Sequence, residues 1–130
     1  MMGFDCSCDG EPAEIYNAAR HKAKKAYCCD ECGGPIAAGE TYERASMLYD
    51  GCWSDFMTCA DCLSIRDYVL INIPCFCWLH GDMLSHAFYT VQEAAAYAPE
   101  ETAGLRFGFL RRKVTADKAR KAKRQNLVAA

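Results

Sequence analysis

Residues 41–58 have the pattern of a ribbon folded back on itself. In the stretch "GETYERASMLYDGCWSDFMTC", Tyr42, Arg44, Met47, Tyr49, Trp53, Phe56 and Met57 suit a pleated, half-buried surface. Asp50-Gly51 falls between the two runs, and a type I′ turn needs positive φ at both central positions. The expectation is a β-hairpin with strands at about 41–49 and 52–58. The period then changes. In "CADCLSIRDYVLIN", Leu63, Arg66, Val69 and Leu70 recur at spacings near 3.6 and predict a helix that ends at Ile73-Pro74. A second helix is predicted in "GDMLSHAFYTVQEAAAYAPEE", with Asp82 or Ser85 as cap and Pro99 after its end. "TADKARKAKRQNL" predicts a third, shorter helix capped by Thr115. Upstream, "NAARHKAKKAY" fits a helix or an extended lead equally well, and residues 1–14 are polar and turn-rich. No repeat of 20–50 residues is visible.

The chain has 130 residues, enough for one domain that buries about two-thirds of its unfolded surface. No run of 18 apolar residues exists, and "MMGFDCSCDG" has neither a basic n-region nor an apolar h-region. The expectation is a protein of the reducing cytoplasm that does not span a membrane. Ten cysteines then point to metal ligation before disulfides. Charge is divided along the chain. Residues 1–105 hold 6 Lys/Arg against 16 Asp/Glu, and residues 106–130 hold 9 against 1. The expected organisation is a zinc-binding domain over 1–105 followed by a basic C-terminal segment over 106–130.

The cysteines fall into pairs. Cys29-x-x-Cys32 is followed by Gly33-Gly34, whose backbone N–H groups can face the sulfurs. Cys59-x-x-Cys62 opens the first predicted helix, where unpaired N–H groups and the positive dipole end stabilise thiolates. The intervening 26 residues exceed the 15–20 of the compact four-cysteine pattern, and the hairpin accounts for the excess. Four thiolates close a tetrahedral zinc site with no position left for water. "DCSCDG" and "PCFCWLHG" supply two C-x-C pairs, Cys6 with Cys8 and Cys75 with Cys77. Together they make a candidate second zinc site, in which His80 can replace one sulfur. The competing reading is that Cys75 and Cys77 line a small core. Cys28 and Cys52 are expected to be packing residues.

At "CDECGGPIAAGE" the residues resemble the zinc knuckle and following glycine of treble-clef fingers of the LIM and PARP types. The resemblance covers residues 27–72, about a third of the chain. It implies a small α+β fold, a zinc-stabilised treble clef with a β-hairpin, two main helices and a basic C-terminal element. The cysteine-flanked "GETYER…DG.W" finger also resembles small zinc-binding proteins of bacteriophage. That resemblance implies an accessory protein acting in the cytoplasm of a bacterial host on host machinery, a defence system being one such target.

Catalytic signatures are missing. The three histidines, His21, His80 and His86, lie outside the hairpin, where a treble-clef nuclease needs its general base. No H-x-E precedes the C-x-C of "NIPCFC", which sets aside a zinc deaminase. The hairpin replaces the βαβ pattern that a thioredoxin-like pair needs. A Cys–His dyad, Cys77 with His80 or Cys59 with His86, is the remaining enzymatic reading. His86 reads as a partly buried helix histidine. The expectation is a non-enzymatic protein that binds another protein, with Tyr49, Trp53, Phe88 and Tyr89 as candidate contacts. The alternative is a nucleic-acid-binding regulator that uses Arg111, Arg112, Lys113, Lys118, Arg120 and Lys121 on phosphates. Phe107 and Phe109 are the only aromatics beside that stripe. The same cations can instead form a solvated tail, or fold against the acidic body within one chain or in a dimer.

Overall fold

The computed structural model describes residues 14–73 and 76–129, with side chains described as far as Arg124. Eight elements follow one another: β1 (Ile15–Lys22), β2 (Tyr27–Cys28), β3 (Pro35–Ile36), β4 (Thr41–Tyr49), β5 (Cys52–Cys59), α1 (Ala60–Asn72), α2 (Met83–Tyr97) and α3 (Leu105–Ala129). The result is a small mixed α+β fold. A three-stranded antiparallel sheet runs in the order β1-β4-β5, and β2 pairs with β3 as a separate short ribbon. Among the described residues no helix is long and apolar enough to cross a membrane.

The hairpin forms at the expected turn. Asp50 and Gly51 both take positive φ, 48° and 76°, and Tyr49 pairs with Cys52, Leu48 with Trp53 and Tyr42 with Cys59. That register puts Glu43, Ala45 and Met47 on the buried face of β4. The open reading of residues 17–27 resolves as a strand. β1 pairs along its whole length with β4, from Ile15 opposite Leu48 to Lys22 opposite Thr41. All eight of its residues are exposed, so it carries no apolar alternation by which it could be recognised.

The core lies between this sheet and the three helices. Ile36, Ile65, Val69, Met83, Val91 and Phe109 are its largest fully buried apolar side chains. α3 starts at Leu105, ten residues before the expected cap. Thr115 sits inside the helix and its hydroxyl donates to the Arg111 carbonyl, 2.9 Å away, the back-bonding that a mid-helix threonine makes. α3 crosses α1 closely at Gly108. A Cβ there would overlap the Tyr68 hydroxyl, which donates to the Leu105 carbonyl at 3.2 Å. Arg112 lies over the Tyr68 ring, 3.9 Å from its centroid.

One charged pair is buried in this core. Arg66, on the apolar stripe of α1, forms a bidentate pair with Glu43 of β4, with one bond at 2.8 Å. The Trp78 ring covers the guanidinium at 5.1 Å. The hydrogen bonds from Arg66 hold the Glu43 carboxyl below its ordinary pKa. A carboxyl lowered in this way adds stability above its unfolded pKa of about 4.3 and loses it as pH falls through the native value. Replacing Glu43 with Gln should cost about 3–5 kcal/mol at pH 7, because an uncompensated guanidinium stays buried. Chemical denaturation of the two proteins across pH should show that gap at neutrality and see it close below pH 4.

Candidate metal centre

The structure brings Cys29, Cys32, Cys59 and Cys62 together, with all four sulfurs within 4.8 Å of one another. The Cys29–Cys62 and Cys32–Cys59 distances are 3.9 and 3.7 Å. A tetrahedral ion with metal–sulfur bonds of about 2.3 Å sets its sulfurs roughly 3.8 Å apart, so the spacing fits zinc. All four thiols are free of disulfides.

Local chain geometry creates the arrangement. Cys29 and Cys32 sit on the turn between β2 and β3, closed by Gly33 N–H to the Cys29 carbonyl at 2.9 Å, with Gly33 at φ +70°. That turn aims backbone donors at sulfur. Glu31 N–H and Cys59 N–H point at the Cys29 sulfur (3.4 and 3.3 Å), and Gly34 N–H at the Cys32 sulfur (3.3 Å). Cys59 ends β5 and caps α1 without a side-chain capping bond, and Cys62 lies in the first helical turn. Both therefore sit at the positive end of the helix dipole.

Four thiols this close cannot all ionise without a cation. The proton balance divides unevenly. The Cys29 thiol is pushed up by its hydrogen bond with Cys32, but those with Cys59 and Cys62 outweigh it and bring it down to about 7. Cys32 is lowered by its hydrogen bonds with Cys29 and the other two cysteines. Cys59 and Cys62 are raised by their hydrogen bonds with Cys29 and Cys32. A divalent metal would replace the protons retained there and release them on binding.

The two residues between Cys29 and Cys32 are clamps. Asp30 binds Met57 of β5 twice, through its own N–H to the Met57 carbonyl (2.8 Å) and through its carboxylate, which accepts the Met57 N–H (2.7 Å). Glu31 accepts the N–H groups of Gly81 (2.6 Å) and Met83 (2.9 Å) at the start of α2. The basic segment also reaches this turn. Arg120 donates to the Cys32 carbonyl and Arg124 to the Gly33 carbonyl, each at 3.3 Å. Lys123 pairs with Glu40 at 2.7 Å and Asp61 at 3.8 Å. Gly34 makes room for the Arg120 stem, since a Cβ there would lie 2.8 Å from it.

Other expected site residues fall elsewhere. Cys6, Cys8 and Cys75 lie outside the described residues, and Cys77 is disulfide-bonded. His80 is held on the sheet. Its Nε2 is 2.9 Å from the Tyr16 hydroxyl, and its ring stacks on Phe56 at 5.3 Å. Burial lowers its pKa. His86 is a local brace whose Nδ1 accepts the Leu79 N–H at 3.1 Å. Cys28 and Cys52 are exposed, which corrects the expectation that they pack. Cys28 sits on the two-residue strand β2, and Cys52 starts β5 next to the hairpin turn. Of the basic set, Lys113 and Arg120 pair with Asp117 on their own helix. Arg112 covers Tyr68. Arg111, Lys118 and Lys121 are exposed.

The Glu31 contacts go beyond the sequence reading, and Arg120 realises the alternative in which the basic segment folds against the body of the same chain. A signal for Glu31 was present, since an acidic residue between ligands of an anionic cluster needs donors of its own. For Arg120 the signal was the opposed charge of the two chain segments.

The fold and the cluster define a small α+β protein with a four-cysteine site suited to a metal such as zinc. No family model, no curated protein and no solved structure matches the chain. Serine at any one of Cys29, Cys32, Cys59 or Cys62 should lower bound zinc at this site from one ion to substoichiometric levels. Serine at Cys28 or Cys52 should leave it unchanged. Elemental analysis of the purified variants checks both outcomes.

Proposed function

We propose that this protein is a non-enzymatic interaction protein whose scaffold is held by zinc in a treble-clef arrangement. The observation that carries the reading is the tetrad of sulfurs at tetrahedral spacing, on three buried cysteines and the half-buried Cys32. The order of parts supports the finer class: a CxxC turn between two short strands, a hairpin, then a second CxxC that opens a helix. The site is closed. Four sulfurs fill the coordination sphere. The cavity beside them, lined by Cys32, Cys59, Cys62, Lys113 and Arg120, measures about 20 Å³, far below the few hundred Å³ that a small-molecule site needs. A metal held there would supply cross-linking between chain segments, and the chain's own residues give it no place to activate a substrate.

A protein is the favoured partner. Half of the six cations considered for phosphate contact are used within the fold: Arg112 on Tyr68, Lys113 on Asp117, and Arg120 on Asp117 and the Cys32 carbonyl. The large exposed side chains Trp53, Tyr89 and Tyr97 offer the kind of anchor that protein interfaces use. The resemblance of the finger to small phage proteins extends the proposal to a host or phage protein as the partner and to the cytoplasm of a bacterial host as the setting.

Structural zinc contributes on the order of 10–16 kcal/mol of apparent binding energy, as much as the whole stability of an ordinary domain, about 5–15 kcal/mol. Native mass spectrometry should find one zinc at this site, and chelation should abolish the cooperative unfolding transition seen by circular dichroism. A chain that stays folded without metal would overturn the scaffold reading. For the partner, reversing Arg111, Lys118 and Lys121 to Glu should leave capture of the protein partner intact. Binding to nucleic acid that falls steeply with salt and vanishes on that reversal would favour the alternative regulator.

A further inference from the structure

We propose that the outward face of α3 is a self-association surface, and that a second copy of this chain occupies it in antiparallel, two-fold contact. Phe107, Leu110 and Val114 recur at spacings of three and four, which sets them on one stripe of the helix. They are 67%, 47% and 51% exposed. Lys118 and Lys121 continue the same stripe at the next spacings of four and three, and both are exposed.

α3 cannot turn this face inward. Its opposite side is already fixed, by burial of Leu105 and Phe109, by Arg112 on Tyr68, by Arg120 on the Cys32 carbonyl and by Lys123 on Glu40. What covers the stripe must therefore come from outside the described fold.

Charge complementarity selects a second copy. In an antiparallel pair with Phe107 opposite the partner's Val114, Leu110 meets its equivalent near the two-fold axis. The helix rises about 1.5 Å per residue. Lys118 and Lys121 then lie beyond Leu105, the first residue of the partner helix, at the end where the turn over 99–104 joins it. That turn carries the partner's Glu100 and the partner's Glu101, both exposed, and no ion pair among the described residues engages them or the two lysines. An isologous interface makes each such pairing twice. The patch has an apolar centre and charged ends, the usual arrangement of interface core and rim. With three apolar side chains from each copy at its centre, the contact is a transient dimer. The inference is independent of the metal reading, because none of these side chains touches the cysteine cluster.

Sedimentation velocity of the full-length protein over about 1–500 µM should show a monomer–dimer equilibrium with a dissociation constant on the order of 10–100 µM. Leu110→Glu should leave a monomer with an unchanged circular dichroism spectrum. The double reversal Lys118→Glu/Lys121→Glu should dissociate the dimer, as should Glu100→Lys/Glu101→Lys, and combining all four should restore it. A protein monomeric throughout that range overturns the proposal. So does a dimer that survives both reversals, or a quadruple variant that stays monomeric.

Discussion

The turn at residues 29–34 is where four parts of the molecule meet. β5 is tied to it through Asp30, α2 through Glu31, and α3 through Arg120 and Arg124. α1 begins at the sulfurs themselves, with Cys59 N–H directed at the Cys29 thiol. Each tie depends on the turn holding one shape, and the turn has little of its own to hold it. It has two backbone hydrogen bonds, Cys29 N–H to the Gly34 carbonyl and Gly33 N–H to the Cys29 carbonyl, and stands on one ribbon of two two-residue strands. Four sulfurs drawn to one point supply the missing constraint. A cation at their centre would convert mutual repulsion of thiolates into a closed shell and would keep the chain segments that carry them together.

This gives the charge division along the chain a physical role. A divalent ion with four thiolates carries a formal charge of about −2. Such a centre would lie within a segment that is itself acidic, with 16 Asp/Glu to 6 Lys/Arg. The cations of α3 lie beside it. Lys113, Arg120 and Lys123 line the cavity next to Cys32, Cys59 and Cys62. Arg120 and Arg124 bind carbonyls of the same turn. A helix that reads as a free basic tail is in part folded against the cysteine turn, where its cations would offset that charge. Lys118 and Lys121, on its opposite side, are left for other work.

Features encoded locally were legible in the sequence. The hairpin turn rests on Asp50-Gly51 and the end of β5 on the second CxxC, and both lie where the residues placed them. Features encoded by tertiary contact were not. β1 shows no alternation because neither of its faces is buried. Thr115 resembles an N-cap, but the helix runs through it because Leu105 and Phe109 bury upstream and Gly108 admits Tyr68. Cys28, which alternates away from Cys29, and Cys52, beside Trp53, read as packing residues, yet both are exposed. Their neighbours Pro35 and Tyr49 pair with them across narrow ribbons with open faces. Arg66 was visible on an apolar stripe, which is itself a demand for a buried carboxylate. The sequence does not say that Glu43, 23 residues earlier, meets it.

The same consideration explains how β1 keeps its register. A strand with one buried face is registered by its apolar side chains, because a slip of one residue turns them all to solvent. β1 lacks that device. Its ties are polar: the Tyr16 hydroxyl with His80 at 2.9 Å, and Arg20 with both carboxylate oxygens of Asp67 at 3.0 Å. Tyr16 and Arg20 are four residues apart and pair with Met47 and Glu43, so both lie on the same face of the sheet as those two. There they flank the buried Glu43–Arg66 pair, whose charges also act on Tyr16. A slip by one residue would turn both to the far face and break both ties at once. An ion pair as exposed as Arg20–Asp67 adds little stability on its own. Here it discriminates between registers, and that task requires only that the wrong alignment lose it.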